Sequence, residues 1–129
     1  MGLAKKILAV DDSKTMREMV AFTLKGAGYE VSEAEDGQAA LAVAGAQRFD
    51  AVITDLNMPN LNGYGLIRAL RANPAYRFTP ILMLTTEGDP SKKEEGKAAG
   101  ATGWIVKPFD PVKLIEVVQK VCPNKAGGV

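Results

Sequence analysis

Ala51-Val52-Ile53-Thr54-Asp55 is a short run that stops on a carboxylate, and the turn residues Leu56-Asn57-Met58-Pro59-Asn60 follow it. A nearly continuous apolar run of this length reads as a strand covered on both faces. A carboxylate at the exit of such a strand is costly unless something pairs with it. The pattern repeats on either side. Ile7-Leu8-Ala9-Val10 exits into Asp11-Asp12, Ile81-Leu82-Met83-Leu84 exits into Thr85, and Trp104-Ile105-Val106 exits into Lys107-Pro108. Four strand-like runs thus deliver acid, acid, hydroxyl and ammonium toward what reads as one edge of one sheet.

Between these runs lie longer amphipathic ones. The strand candidates are Lys6 to Val10, Glu30 to Ala34, Ala51 to Thr54, Pro80 to Leu84 and Gly103 to Val106. The second alternates and is expected at an edge. After Asp12, the residues Met16, Met19, Val20, Thr23 and Leu24 share one helical face, which Gly26 to Gly28 ends. Met16 and Met19 are read as core. A second helix opens at Asp36-Gly37 and runs through Ala46. A third spans Gly63 to Ala72 and stops before Asn73-Pro74. Asp89-Pro90 and Asp110-Pro111 have the form of an N-cap followed by proline, opening a helix that runs through Ala99 and a last helix in which Leu114, Ile115, Val118 and Val121 are expected to make the buried stripe. Alternating strands and helices predict an α/β fold, a parallel sheet with right-handed crossovers and helices on both faces. In such sheets the functional crevice lies at the carboxyl ends of the strands. All the polar residues named above sit at carboxyl ends.

The totals bound the function. A chain of 129 residues suits one domain, read here as 1–129 with its core at about 6–121 and a frayed tail at 123–129. The net charge of +1, with both signs spread along the chain, offers no basic patch for nucleic acid. No apolar run reaches the roughly 18 residues of a membrane span, and the N-terminus does not have the form of a secretory signal. A cytoplasmic location is expected by default. The single cysteine, Cys122, excludes an internal disulfide, and the lack of histidine excludes His-based catalysis and His-ligated metals.

If Asp11, Asp12 and Asp55 converge, two carboxylates about 4 Å apart repel by about 4 kcal/mol at an effective dielectric near 20. Such a cluster needs a cation or stays partly protonated. Oxygen donors alone favour Mg2+ or Mn2+. Lys107 is suited to hold one carboxylate and a phosphoryl oxygen. A carboxylate can attack phosphorus to form an aspartyl phosphate, and Thr85 adds a hydroxyl donor.

The ordered set Asp11-Asp12, Thr54-Asp55-Leu56-Asn57-Met58-Pro59, Thr85-Thr86 and Lys107-Pro108-Phe109 resembles the receiver domain of two-component response regulators. The resemblance runs from about Lys6 to Val121, and Gly100 to Phe109 looks most like the stand-alone chemotaxis (CheY-like) type. It implies a flavodoxin/CheY-like sheet of five parallel strands in the order 2-1-3-4-5. It implies that Asp55 accepts phosphate from the phosphohistidine of a separate, CheA-like histidine kinase. Asp12, Asp55 and the main-chain carbonyl of Asn57 are expected to bind Mg2+ directly, with Asp11 acting through water. Lys107 and Thr85 bind the phosphoryl group, the Lys107-Pro108 peptide is expected cis, and Trp104 takes the place of the switch aromatic. Indole is larger than phenol, so its burial and coupling there are open. Asn57 and Glu87 stand where the family tunes dephosphorylation, and a short-lived signal is expected. The resemblance further implies a monomer without enzymatic turnover. Its output surface on the fourth helix, fifth strand and fifth helix would meet a flagellar motor switch protein, with a phosphatase as a further partner. Residues exposed on the first helix are a candidate dock for the phosphohistidine domain.

Other readings stay in view. Asp11-Asp12 alone reads as a helix cap and Asp55 alone as a turn residue. Gly63, Gly65 and Gly103 read as backbone geometry, and Lys92-Lys93-Glu94-Glu95 as a solvated face. A phosphate sink or an adaptor receiver would look the same. An aspartate-nucleophile phosphatase of the haloacid dehalogenase class wants a second Asp where Asn57 stands. A flavin protein wants a Ser/Thr-rich phosphate loop where Asp11-Asp12 stands.

Overall fold

The structure is a computed structural model describing residues 4–56, 58, 60–86 and 90–123. Its strands are β1 (Lys6–Val10), β2 (Glu30–Ala34), β3 (Ala51–Asp55), β4 (Ile81–Thr85) and β5 (Gly103–Val106). Its helices are α1 (Lys14–Gly26), α2 (Gly37–Ala46), α3 (Gly63–Ala72), α4 (Pro90–Ala99) and α5 (Pro111–Val121). All strand pairs are parallel, and the order is β2-β1-β3-β4-β5. This is the expected α/β architecture. β3 and β4 each run one residue further than the sequence reading, so that Asp55 and Thr85 are the last residues of their strands.

Strand alternation divides the core into two layers. Ile7, Ala9, Ile53, Leu82, Leu84 and Ile105 pack with Val20 and Leu24 of α1 and with Leu114 and Val118 of α5. Leu8, Val10, Val52, Ile81 and Met83 pack with Ala40 and Ala44 of α2, with Leu66, Ile67 and Leu70 of α3, and with Ala99 of α4. Because both faces are covered, β3 and β4 are buried at every position. β2 lies at one edge as expected, and β5 at the other.

The helices begin where the sequence supplies caps. Asp36 accepts from Ala39 N–H at 2.8 Å, and Asp110 accepts from Val112 N–H at 3.0 Å. Asn62, not singled out beforehand, caps α3 through Gly65 N–H at 2.9 Å. Each such cap contributes about 1 kcal/mol. Asp89, the expected cap of α4, lies outside the described residues. A 3-10 turn at Pro74–Tyr76 was not foreseen.

Two corrections concern helix faces. Met19 is 48% exposed rather than core. At about 100° per residue, Met16, Val20 and Leu24 face the sheet, and Met19 falls off that stripe. Phe22 beside it is 81% exposed. In α5, Leu114 and Val118 are buried, whereas Ile115 and Val121 are only partly so.

The amino-terminal end of the sheet is tied by Arg71. Its guanidinium donates to the carbonyls of Tyr76 and Thr79, both at 2.7 Å, and of Gly100 at 2.9 Å. Gly100 closes α4 at φ +113, a conformation that favours glycine. On the other face, the Tyr29 hydroxyl donates to the Cys122 carbonyl at 2.7 Å. Cys122 is buried at the end of α5. No helix among the described residues is long and apolar enough to cross a membrane.

Candidate phosphoryl and metal site

The strand order reverses between β1 and β3, and the site forms where these two strands end. Asp11 and Asp12 follow β1, and Asp55 ends β3. One carboxylate oxygen from each lies within 4.8 Å of the others. Asp11 and Asp55 are buried, and Asp12 is exposed. Asp11 and Asp12 are not the cap of α1. Ser13 takes that role, its hydroxyl accepting from Met16 N–H at 3.2 Å. Asp11 Oδ1 accepts from Ser13 N–H at 2.9 Å, which leaves Oδ2 directed elsewhere.

Lys107, just beyond β5, reaches across the sheet edge. Its ammonium lies 3.1 Å from Asp55 Oδ1 and 3.1 Å from Asp11 Oδ2. The first contact is a hydrogen bond. The second is an ion pair without hydrogen-bond alignment, and Asp11 Oδ2 is buried with no hydrogen-bond partner. The Lys107-Pro108 peptide is cis, as expected.

The charges strain against each other. Burial pushes the Asp55 carboxyl above the usual range, the negative charge of Asp11 pushes the same way, and Lys107 opposes both. Burial alone would lower Lys107, but its hydrogen bond to Asp55 and the charges of Asp55 and Asp11 outweigh it and raise it. One ammonium shared between Asp11 and Asp55 does not neutralise a cluster of three carboxylates. A divalent cation fits the deficit. Three carboxylates with oxygens within 4.8 Å of one another are hard oxygen donors of the kind that would hold Mg2+.

Thr85, buried at the end of β4, accepts Lys107 N–H on its main-chain carbonyl at 2.6 Å. Trp104 pairs with Met83 in the register, and Val106 with Thr85. Alternation therefore puts Trp104 and Thr85 on the same sheet face. Trp104 is 39% exposed, with the Lys93 ammonium 4.7 Å above its ring. Asn57 and Glu87 lie outside the described residues.

Two local features, the contacts of Arg17 and of Asn60, escape the sequence reading, whereas Gly63 serves backbone geometry as expected. Arg17 donates to the Asp11 carbonyl at 2.8 Å and pairs with Glu33 at 3.1 Å. Gly63 lies so close to Asp55 that a Cβ there would collide with the Asp55 carbonyl. Asn60, the one non-glycine with positive φ among the described residues, donates from its side chain to Asp36 at 2.8 Å. No local pattern announces such contacts, because each joins residues brought together by the sheet.

The model of the response regulator receiver domain matches residues 7–119. The chain belongs to this family. Among relatives, the chemotaxis protein CheY of Pseudomonas aeruginosa is 39% identical over 117 residues, covering 90% of this chain and 94% of that one. The solved structure of CheY4 from Vibrio cholerae superposes with a TM-score of 0.90 at 55% identity, covering 92% of this chain and 99% of that one. The receiver domain of a sensor histidine kinase from Pseudomonas aeruginosa, solved with a magnesium ion coordinated in its active site cleft, gives a TM-score of 0.85 at 31% identity. That match covers 92% of this chain and 98% of that one. This receiver is therefore CheY-like in both sequence and fold.

Proposed function

We propose that this receiver is a single-domain switch that accepts a phosphoryl group on Asp55 from the phosphohistidine of a CheA-like histidine kinase. The observation that carries the reading is the junction of three carboxylates within 4.8 Å of one another with one lysine 3.1 Å from two of them. That arrangement offers a nucleophile, a place for a divalent cation and a fixed positive charge.

An Asp55 oxygen attacks the phosphorus of the donor. The new oxygen–phosphorus bond forms as the phosphorus–nitrogen bond breaks, and its electron pair returns to the donor imidazole. Charge on the group in flight spreads over its outer oxygens. Lys107 is already at Asp55 and can pass from the carboxylate to a phosphoryl oxygen. Asp12, Asp55, Asp11 and the main-chain carbonyl of Asn57 would hold Mg2+, which when bound would supply further positive charge to those oxygens. Thr85 contributes its hydroxyl from the neighbouring strand. The phosphoryl contacts are made in one state and not the other, which supplies the energy of the switch.

Trp104 then transmits the change to the surface of α4, β5 and α5, where a flagellar motor switch protein binds. Exposed Met19 and Phe22 on α1 suit the docking of the phosphohistidine domain. The receiver acts in the cytoplasm as a monomer, and it holds a short-lived phosphate and loses it without substrate turnover. The test is hydroxylamine-sensitive acyl-phosphate labelling by acetyl phosphate with Mg2+. Asp55→Asn should abolish it, and normal labelling of that variant would overturn the assignment. Lys107→Ala should fold and bind motor switch peptide equally with and without a phosphate mimic.

A further inference from the structure

The loop that follows Asp55 is fastened at its tip to a different part of the sheet edge. Asn60 sits at φ 70 and donates its side-chain amide to Asp36 Oδ2 at 2.8 Å. The other oxygen of Asp36 caps α2 by accepting Ala39 N–H at 2.8 Å. Directly beside this link, a Cβ on Gly37 would collide with the Leu61 carbonyl, so the loop lies flush on the start of α2. The base of the loop is closed by Gly63 N–H donating to the Leu56 carbonyl at 2.9 Å. On the α2 side, Ala34 precedes the link, and its carbonyl accepts the Asp11 N–H at 3.2 Å. The Asp36–Asn60 bond therefore joins the segment leaving Asp55 to the segment that holds Asp11.

We infer that Asp36 and Asn60 are a positioning pair for the cation site. They keep the two sources of carboxylates at a fixed separation before any ion arrives. Both oxygens of Asp36 are then used, one for the helix and one for the loop. Asn suits position 60 because it tolerates positive φ while carrying a donor that glycine lacks. Preorganisation of this kind raises affinity without touching the ion, because the ordering cost is met in the folded state. The inference rests on the reading of the acidic cluster as a Mg2+ site.

The experiment is Mg2+ titration by calorimetry on the full chain, alongside the metal-free thermal midpoint. Asn60→Gly keeps the backbone conformation and removes the donor. Asp36→Ser keeps a competent cap for α2 but is too short to reach the Asn60 amide. Each should weaken Mg2+ binding by about tenfold, as other residues that orient metal ligands do. The exchange variant Asp36→Asn with Asn60→Asp restores a donor–acceptor pair at unchanged net charge and should regain the parent affinity. Single variants that bind Mg2+ within about twofold of the parent while losing thermal stability would assign the pair a structural role alone and overturn the inference. So would weakened singles without recovery in the exchange. Failure of the unmodified chain to bind Mg2+ would instead overturn the cation site itself.

Discussion

Removing the charge of the phosphoacceptor should stabilise the metal-free protein. Asp55→Asn keeps the shape of the side chain, so the comparison isolates the charge. The Asp11 carboxylate lies within 4.8 Å of Asp55, and the repulsion is about 3.5 kcal/mol at an effective dielectric near 20. Lys107 at 3.1 Å attracts by about 5 kcal/mol on the same footing. The difference, at most about 2 kcal/mol in favour of the charge before the repulsion of the exposed Asp12 within the same 4.8 Å is counted, is smaller than the several kcal/mol needed to take a carboxylate out of water. Burial therefore decides the sign, in agreement with the raised Asp55 pKa. The linkage runs accordingly. A carboxyl whose folded pKa is raised gives stability that is complete below its ordinary value of 3.8 and is lost as pH rises through the folded value. Above the folded value the ionised group is a net cost. Allowing for solvent at this crevice, Asp55→Asn should gain on the order of 1 kcal/mol. In urea with chelator present, that is a rise of about 0.5 M in the midpoint. Saturating Mg2+ should then favour the parent, because a cation at a hundred times its dissociation constant adds about 2.7 kcal/mol only where its ligands are intact. A variant less stable than the parent under chelator, or equal stabilisation of both by Mg2+, would refute the reasoning.

Further predictions concern the rest of the molecule. Arg71→Met removes the donor to the carbonyls of Tyr76, Thr79 and Gly100, and should cost about 3 kcal/mol in urea unfolding. It should leave acetyl phosphate labelling of Asp55 intact, since these contacts are at the opposite end of the sheet. Tyr29, buried against the Cys122 carbonyl, has its pKa pushed from 10.0 to about 12, so the folded state holds a proton that the unfolded chain releases. Stability should therefore fall as pH rises from 10.0 toward about 12, and Tyr29→Phe should lose this part of the pH dependence. Trp104 is the single tryptophan, so Lys93→Met should alter the intrinsic fluorescence by removing the ammonium over its ring. An unchanged spectrum would show that ring and ammonium do not meet in solution.

Much of the fold was legible because its signals are local. β1, β3 and β4 are apolar at nearly every position, as two-sided burial requires, and Asp36 and Asp110 announce their helices one residue ahead. The 3-10 turn and the Asn62 cap were missed because Asn and Pro mark a turn without specifying its geometry. Met19 was misplaced for a different reason. Periodicity shows that a helix has an apolar face, but its width depends on how the helix is rotated against the sheet. Arg71 and the Asp36–Asn60 link were invisible because their partners come from other elements.

The sequence by itself determined which groups are available at the carboxyl ends of the strands: Asp11, Asp12, Asp55, Thr85 and Lys107. The order of these groups, each after an apolar run, also carried the family. Tertiary structure alone decided how the charges share the site. It gave Asp55 the aligned hydrogen bond from Lys107 and left Asp11 Oδ2 buried without one. It also assigned the cap to Ser13, which leaves Asp11 Oδ2 and the Asp12 carboxylate for the site. Residue type fixes which charges exist. Their pairing depends on angles and burial set by sheet register, and these join residues far apart in the chain.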